Sequence, residues 1–230
     1  MGIPATLGAA RGPLEVGVIA VDIRSKTFGG NAVLGPVSFS IAPGETVALV
    51  GPSGIGKSTL LRIVAGVDTQ FRGTIARPGA MAMVFQDPTL LPWRSAMDNL
   101  RTVHRGLTRQ AAARAMAETG LTGKEEMFPG QLSQGQRRRL ALARAFAGQP
   151  ELLIMDEPFV SLDAETAETM LALTENLIAH HRPATLFVTH AQNEAERLAT
   201  RILTLVPGPE GAVLGTSCQR FRVREKHTAG

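Results

Sequence analysis

Between the apolar run Thr46 to Val50 and a helical pattern that begins at Lys57 lies Gly51-Pro52-Ser53-Gly54-Ile55-Gly56-Lys57-Ser58. A strand, a loop of the form G-x-x-x-x-G-K-[ST] and a helix in that order admit few folds. The glycines let the backbone wrap with its N–H groups inward, with Pro52, Ser53 and Ile55 completing the turn. The following helix N-terminus adds partial positive charge. The loop is therefore a cradle for phosphate. Lys57 is placed to meet the β- and γ-phosphates of a nucleotide such as ATP, Ser58 to hold Mg²⁺ through its hydroxyl, and Thr59 to hydrogen-bond a nearby phosphate.

A cradle needs partners for metal and water. Leu152-Leu153-Ile154-Met155-Asp156-Glu157 is an apolar run that ends in two carboxylates, at the kind of strand end where ligands of open α/β sheets bind. Asp156 is placed for the metal and Glu157 for an attacking water. Adjacent residues on a strand point to opposite faces, so the two need not share one job.

The same alternation of β-branched runs and helical patterns continues along the chain and predicts an α/β fold. Strands are expected over Val16 to Ile23, Val37 to Ile41, Thr46 to Val50, Met81 to Phe85, Glu151 to Met155, Thr185 to Thr189 and Ile202 to Val206. Runs that are apolar on both faces indicate a mostly parallel, doubly covered sheet, and the early alternating ones an antiparallel β flank. Helices are expected from Lys57 to Ala65, closed by Gly66, and from Arg109 to Thr119, capped by Thr108 and closed by Gly120. Two more run from Ser133 to about Phe146 and between Asp163 and Pro183. Pro88 to Ala147 is then an all-helical lobe inserted between two strands of a phosphate-loop NTPase core. Residues 1–15 are expected to be a flexible tail and 16–230 a single domain, with the lobe at roughly 88–147.

Composition narrows the setting. A chain of 230 residues with 44% hydrophobic content can bury roughly 70% of the surface its unfolded form exposes, enough for a core without staples. Its 24 Lys+Arg against 20 Asp+Glu give a net charge of +4, too little to argue for nucleic acid. Cys218 is the only cysteine, which excludes an intrachain disulfide and suits a reducing compartment. No run approaches the ~20 apolar residues that cross a bilayer. The start Met1-Gly2-Ile3-Pro4-Ala5-Thr6 fits an N-myristoylation pattern, but no second anchoring signal follows it.

From about Val16 to Gly215 the chain resembles the ATP-binding-cassette (ABC) ATPases. Its most diagnostic segment is Leu132-Ser133-Gln134-Gly135-Gln136, similar to the family's LSGGQ signature and followed by Arg137, Arg138 and Arg139. A serine N-cap at a helix start is an anion site, while three arginines beside a positive helix end are unfavourable unless an anion offsets them. A solvated basic helix face is the other reading of those arginines. The resemblance implies further roles. Ser133, Gln134, Gly135 and Gln136 would meet ATP bound by a second copy, and Phe28 would stack on adenine, although a lone Phe beside Gly29-Gly30 is often core. Gln86 resembles the Q-loop residue that touches Mg²⁺ and water, and His190 the switch histidine that bonds the γ-phosphate. Ser161-Leu162-Asp163 resembles the D-loop, and Asp163 also suits the cap of the next helix. Ala191 stands where the family commonly has aspartate.

The segment Phe85 to Arg94, with Asp98-Asn99-Leu100 behind it, is similar to the nitrate/sulfonate/taurine group of bacterial importers. The resemblance thus implies an ATP-hydrolysing importer subunit that works as a nucleotide-sandwich dimer. Its partners would be transmembrane permease subunits and a solute-binding protein, at the cytoplasmic face of the inner membrane. The alternatives are a soluble relative acting on nucleic acid or ribosomes, and a small-molecule kinase. Leu90, Leu91, Pro92 and Trp93 form either a coupling surface for the membrane partner or part of the lobe's own core.

Gln134 stands where the family usually has glycine. Restoring glycine there is expected to leave steady-state ATPase unchanged or raise it; a loss above about tenfold, ~1.4 kcal/mol of barrier, would assign the amide a role of its own.

Overall fold

The computed structural model describes residues 18–215 and the backbone of 219–220. The expected tail over 1–15, the myristoylation pattern, Val16 and Cys218 lie outside the described residues.

Two sheets share the strands. β1 (Ile19–Phe28) pairs antiparallel with β2 (Asn31–Leu34), β3 (Val37–Ile41) and β5 (Arg72–Ala76). The second sheet runs β9-β4-β8-β7-β6, all parallel: β4 (Thr46–Val50), β6 (Met81–Val84), β7 (Leu152–Asp156), β8 (Ala184–Val188) and β9 (Arg201–Val206). The short strands β10 (Val213–Leu214) and β11 (Gln219–Arg220) add to β9 antiparallel. This is the parallel core with an antiparallel flank that the apolar patterning predicts.

Side-chain alternation on β7 shows how the layers are made. Leu152 and Ile154 point into a core shared with Ile19, Val21 and Ile23 of β1 and with Leu60, Leu61 and Val64 of α1 (Lys57–Ala65). Leu153 and Met155 point the other way, onto Leu142 and Phe146 of α4 (Gln134–Ala147) and onto Met170 and Leu171 of α5 (Ala164–His181). All four β7 side chains are fully buried, each worth about 1.5–3 kcal/mol of transfer free energy. The sheet is covered on both faces, so its apolar run is continuous.

The helical lobe packs separately. Ala96, Met97 and Leu100 of α2 (Ala96–Val103), Ala112, Ala115 and Met116 of α3 (Arg109–Glu118), and Leu140 and Ala143 of α4 form its core. α4 therefore presents Leu140 and Ala143 to the lobe and Leu142, Ala145 and Phe146 to the sheet. Its N-terminus is a capping box: Gln136 N–H donates to Ser133 Oγ (3.2 Å) and Ser133 N–H to Gln136 Oε1 (3.0 Å). Thr108 caps α3 through Ala111 N–H, and Gly66 and Gly120 follow their helices with positive φ, as expected.

Some elements differ from the sequence reading. β1 extends to Phe28, and β6 and β8 stop at Val84 and Val188, one residue short of the expected Phe85 and Thr189. β2 and β5 were not expected as strands; both are short and largely exposed, so no apolar alternation marks them. α6 (Gln192–Leu198) has Ala191 at its N-cap, without a side-chain bond to announce it.

One polar side chain orders the entrance to the lobe. Asn99 is fully buried; its Oδ1 accepts from Leu91 N–H (2.8 Å), and its amide donates to the carbonyls of Leu91 (3.2 Å), Arg94 (3.1 Å) and Ser95 (3.0 Å). Asn99→Ala removes the bonds to the backbone of Leu91, Arg94 and Ser95, one of them buried and the others part-buried. A loss of about 2–3 kcal/mol is expected in urea unfolding, the cost of leaving buried polar groups unpaired.

Candidate nucleotide site

The parallel ladder sets which residues meet. Leu49 lies opposite Val188, Val188 opposite Asp156, and Val84 opposite Met155. The chain segments that leave these strands, beginning at Gly51, Thr189, Glu157 and Phe85 and carrying His190 and Gln86, thus emerge together at the C-terminal edge, where open α/β sheets bind ligands.

The loop after β4 can only be built with glycine at its start. Gly51 has φ 152°, and a Cβ there would lie 2.7 Å from the Leu205 carbonyl oxygen. Inside the loop Lys57 is 5% exposed, and its ammonium donates to the carbonyls of Gly51 and Pro52, both at 2.9 Å. Burial lowers its pKa from the ordinary lysine value, and the Glu157 and Asp156 carboxylates oppose that shift. A cation held among backbone dipoles beside two carboxylates is poised for a polyanion.

Ser58 and Asp156 adjoin: the Ser58 hydroxyl donates to Asp156 Oδ1 at 3.2 Å. Burial raises the Asp156 pKa, the Ser58 bond opposes this, and the neighbouring Glu157 charge adds to it. Two hard oxygen donors side by side, one of them an incompletely solvated carboxylate, are a donor set that suits Mg²⁺.

Glu157 leaves β7 with φ 49°, a left-handed conformation that costs a non-glycine residue of order 1–3 kcal/mol. Its N–H donates to the Val188 carbonyl (3.1 Å), and its Oε1 lies 2.5 Å from His190 Nε2. The strained backbone thereby turns the carboxylate toward His190, on the neighbouring strand's exit. Behind them Thr189 Oγ1 donates to Glu194, whose pKa burial raises. Glu194 was not singled out in the sequence; its one signal is its place four residues after His190, in the first turn of α6.

Gln86 is exposed just beyond β6. Phe28 is 78% exposed at the end of β1, so its ring is free rather than core. The hairpin it belongs to sits beside the phosphate loop, because a Cβ on Gly56 would meet Leu34 Cδ2 at 3.0 Å and Val33 Cγ1 at 3.2 Å.

Ser133, Gln134, Gly135 and Gln136 are placed elsewhere. Among the described residues no hydrogen bond or ion pair joins them to residues 51–59. Ser133, Gly135 and Gln136 instead line a polar cleft of about 330 Å³ with Arg139, Glu165 and Thr166. Asp163 caps α5, its Oδ1 accepting from Thr166 N–H at 3.0 Å, and that bond lowers its pKa. Of the three arginines, Arg138 departs from both sequence readings: it is 7% exposed and turns inward.

The protein-family profile described as ABC transporter matches residues 34–160. Among curated proteins, the chain is 44% identical over 199 residues to aliphatic sulfonates import ATP-binding protein SsuB 3 of Paraburkholderia xenovorans, covering 85% of this chain and 81% of that one. It is 46% identical over 202 residues to SsuB 2 of Rhizobium johnstonii, covering 86% and 81%. Among solved structures, the ATP-binding cassette MJ0796, a dimer in a post-hydrolysis state bound to ADP and Pi, superposes with a TM-score of 0.73. It is 26% identical, with 89% of this chain and 99% of that chain covered. With its phosphate loop, its acidic strand end and its signature helix on this fold, the chain belongs to the ABC transporter family and is one of its ATPases.

Proposed function

We propose that this ATPase is the energy-supplying subunit of a bacterial importer for aliphatic sulfonates or closely similar oxyanions, working as a dimer on transmembrane partners. The observation that carries the hydrolytic part is the convergence of Lys57, the Ser58–Asp156 pair and the Glu157–His190 pair on one sheet edge. The solute class rests on the likeness to the sulfonate-import relatives.

ATP is the substrate. The loop's inward N–H groups and Lys57 bind its β- and γ-phosphates, exchanging the Gly51 and Pro52 carbonyls for phosphate oxygens. Ser58, Asp156 and Gln86 are the residues that would hold Mg²⁺. When bound, that ion neutralises charge developing on the phosphate oxygens. Glu157 takes the proton of the attacking water as its oxygen bonds the γ-phosphorus and the bond to the β–γ bridging oxygen breaks, leaving ADP and phosphate. His190, within hydrogen-bond reach of Glu157, fixes the carboxylate and offers a donor to the γ-phosphate. Phe28 supplies a free ring for the adenine. A second copy completes each site: its Ser133–Gln136 helix start turns N–H groups toward the γ-phosphate, and its Asp163 segment lies at the same seam.

The membrane side is served by the lobe. Trp93 is 69% and Phe128 46% exposed. Their segments are joined, since Ala96 N–H donates to Met127 O (2.7 Å) and Met97 N–H to Glu125 O (2.9 Å). Leu90, by contrast, packs on the lobe core. An exposed tryptophan near the Gln86 loop is suited to anchor a partner helix. Among the described residues no helix is long and apolar enough to cross a membrane, in keeping with a peripheral subunit at the cytoplasmic face that relies on separate permease subunits and a solute-binding protein.

Glu157→Gln is expected to keep ATP binding and to slow hydrolysis by at least ~10²-fold, the lower range for losing a general base. It is also expected to accumulate an ATP-bound dimer; a monomer only, by gel filtration with ATP and without Mg²⁺, would exclude the sandwich. Trp93→Ala is expected to reduce sulfonate uptake and co-purification with membrane subunits while the isolated chain keeps its melting temperature and ATPase. A lowered melting temperature would return Trp93 to the lobe's packing. Uptake of labelled ethanesulfonate, taurine and nitrate by cells lacking the gene tests the solute class.

A further inference from the structure

Arg138 lies in the second turn of α4, and it is the least expected side chain of the signature helix. Arginine near a helix start ordinarily reaches solvent, yet this one is 7% exposed. Its guanidinium donates through Nη1 to the Pro158 carbonyl at 2.7 Å and through Nη2 to the Val160 carbonyl at 2.8 Å. Both acceptors belong to the turn that leaves Glu157.

That turn needs holding. It opens with Glu157 at φ 49° and is followed by Ser161 at φ 61°, two left-handed non-glycine residues within five positions. Such conformations persist where surrounding structure over-determines them. The turn's own bond, Val160 N–H to Glu157 O, is long at 3.3 Å. Phe159, 3% exposed, anchors its apolar side. The planar fork of Arg138 grips the other side at two points, an arrangement a lysine or a single donor does not reproduce.

The grip is made at a cost. Burial pulls the Arg138 pKa below the ordinary arginine value, with the Asp87 carboxylate opposing, and its Nε has no partner among the described residues. An apolar side chain would fill this place without either penalty, so packing alone does not account for arginine. Arg144, two turns on, holds the carbonyls of Pro88 and Thr89 beyond Gln86 in the same manner, at 2.9 Å each. α4 thus fastens the turn after Glu157 with one arginine and the segment after Gln86 with another.

We propose that Arg138 is a positioning residue for hydrolysis: its two bonds to the Pro158 and Val160 carbonyls fix the turn that aims Glu157, linking the signature helix to the carboxylate that activates water. The inference rests on the reading of Glu157 as the general base, and a mutant cycle separates the two.

Arg138→Met keeps the length of the stem and removes both donors. In steady-state ATPase it is expected to lower kcat about tenfold with KM for ATP within about twofold, the pattern of lost transition-state geometry rather than lost binding. In the Glu157→Gln background, followed by single turnover, the same substitution is expected to cost less than about twofold, because it acts through the carboxylate already removed. Arg138→Lys is expected to fall between, keeping the charge without the fork. Unchanged kcat in Arg138→Met, or an equal loss in both backgrounds, overturns the role of Arg138. If the methionine variant does not fold, Arg138→Lys is read in the same cycle: a smaller loss of the same non-additive form supports the role, and an additive or absent loss overturns it. Wild-type turnover in Glu157→Gln alone overturns the Glu157 assignment, and that result is seen before Arg138 is touched.

Discussion

The hydrogen-bond ladder that joins β4, β8, β7 and β6 in parallel register is the constraint on which the site depends. Each strand contributes one exit, and because Leu49 is matched to Val188, Val188 to Asp156 and Val84 to Met155 across the sheet, the exits meet without any loop having to reach. A shift of one residue in β7 would exchange its two faces, sending Leu152 and Ile154 into the wrong core and Asp156 away from Ser58. Burial on both sides makes that slip prohibitive. Apolar packing far from the nucleotide edge thereby fixes the carboxylates at it.

The electrostatics of that edge are unbalanced in a useful direction. Lys57 and Asp156 are both disfavoured in their charged forms by burial, and the chain offers them backbone carbonyls and a hydroxyl as partial compensation. A folded state that holds poorly solvated charges is more stable when a ligand satisfies them. Nucleotide binding is therefore linked to the stability of the loop and of β7's end.

What could be read from the residues was whatever is local. The phosphate loop, the acidic strand end and the caps at Ser133, Thr108 and Asp163 each depend on neighbours a few positions away, and spacing reveals them. β2 and β5 were hidden because their partners are on β1 and their faces are exposed; α6 was hidden because nothing at Ala191 caps it. Arg138 was misjudged for the opposite reason. Its sequence neighbours are arginines, and only the long-range approach of the turn after Glu157, twenty residues away, gives it acceptors inside the protein. Phe28 could be read either as a ring for stacking or as core, and the hairpin's geometry leaves it in the open.

α4 also decides how the protein comes apart. Leu140 and Ala143 belong to the lobe, while Leu142, Ala145 and Phe146 belong to the sheet, so the helix is a member of two cooperative units at once. α2 and α3 can open to solvent as a partial unfolding of the lobe, exchanging their amide hydrogens without disturbing the sheet. α4 cannot follow them without exposing the face of β7. The slowest-exchanging amides of the lobe are then those of the helix that carries the signature, and its frame outlasts the loss of the helices around it.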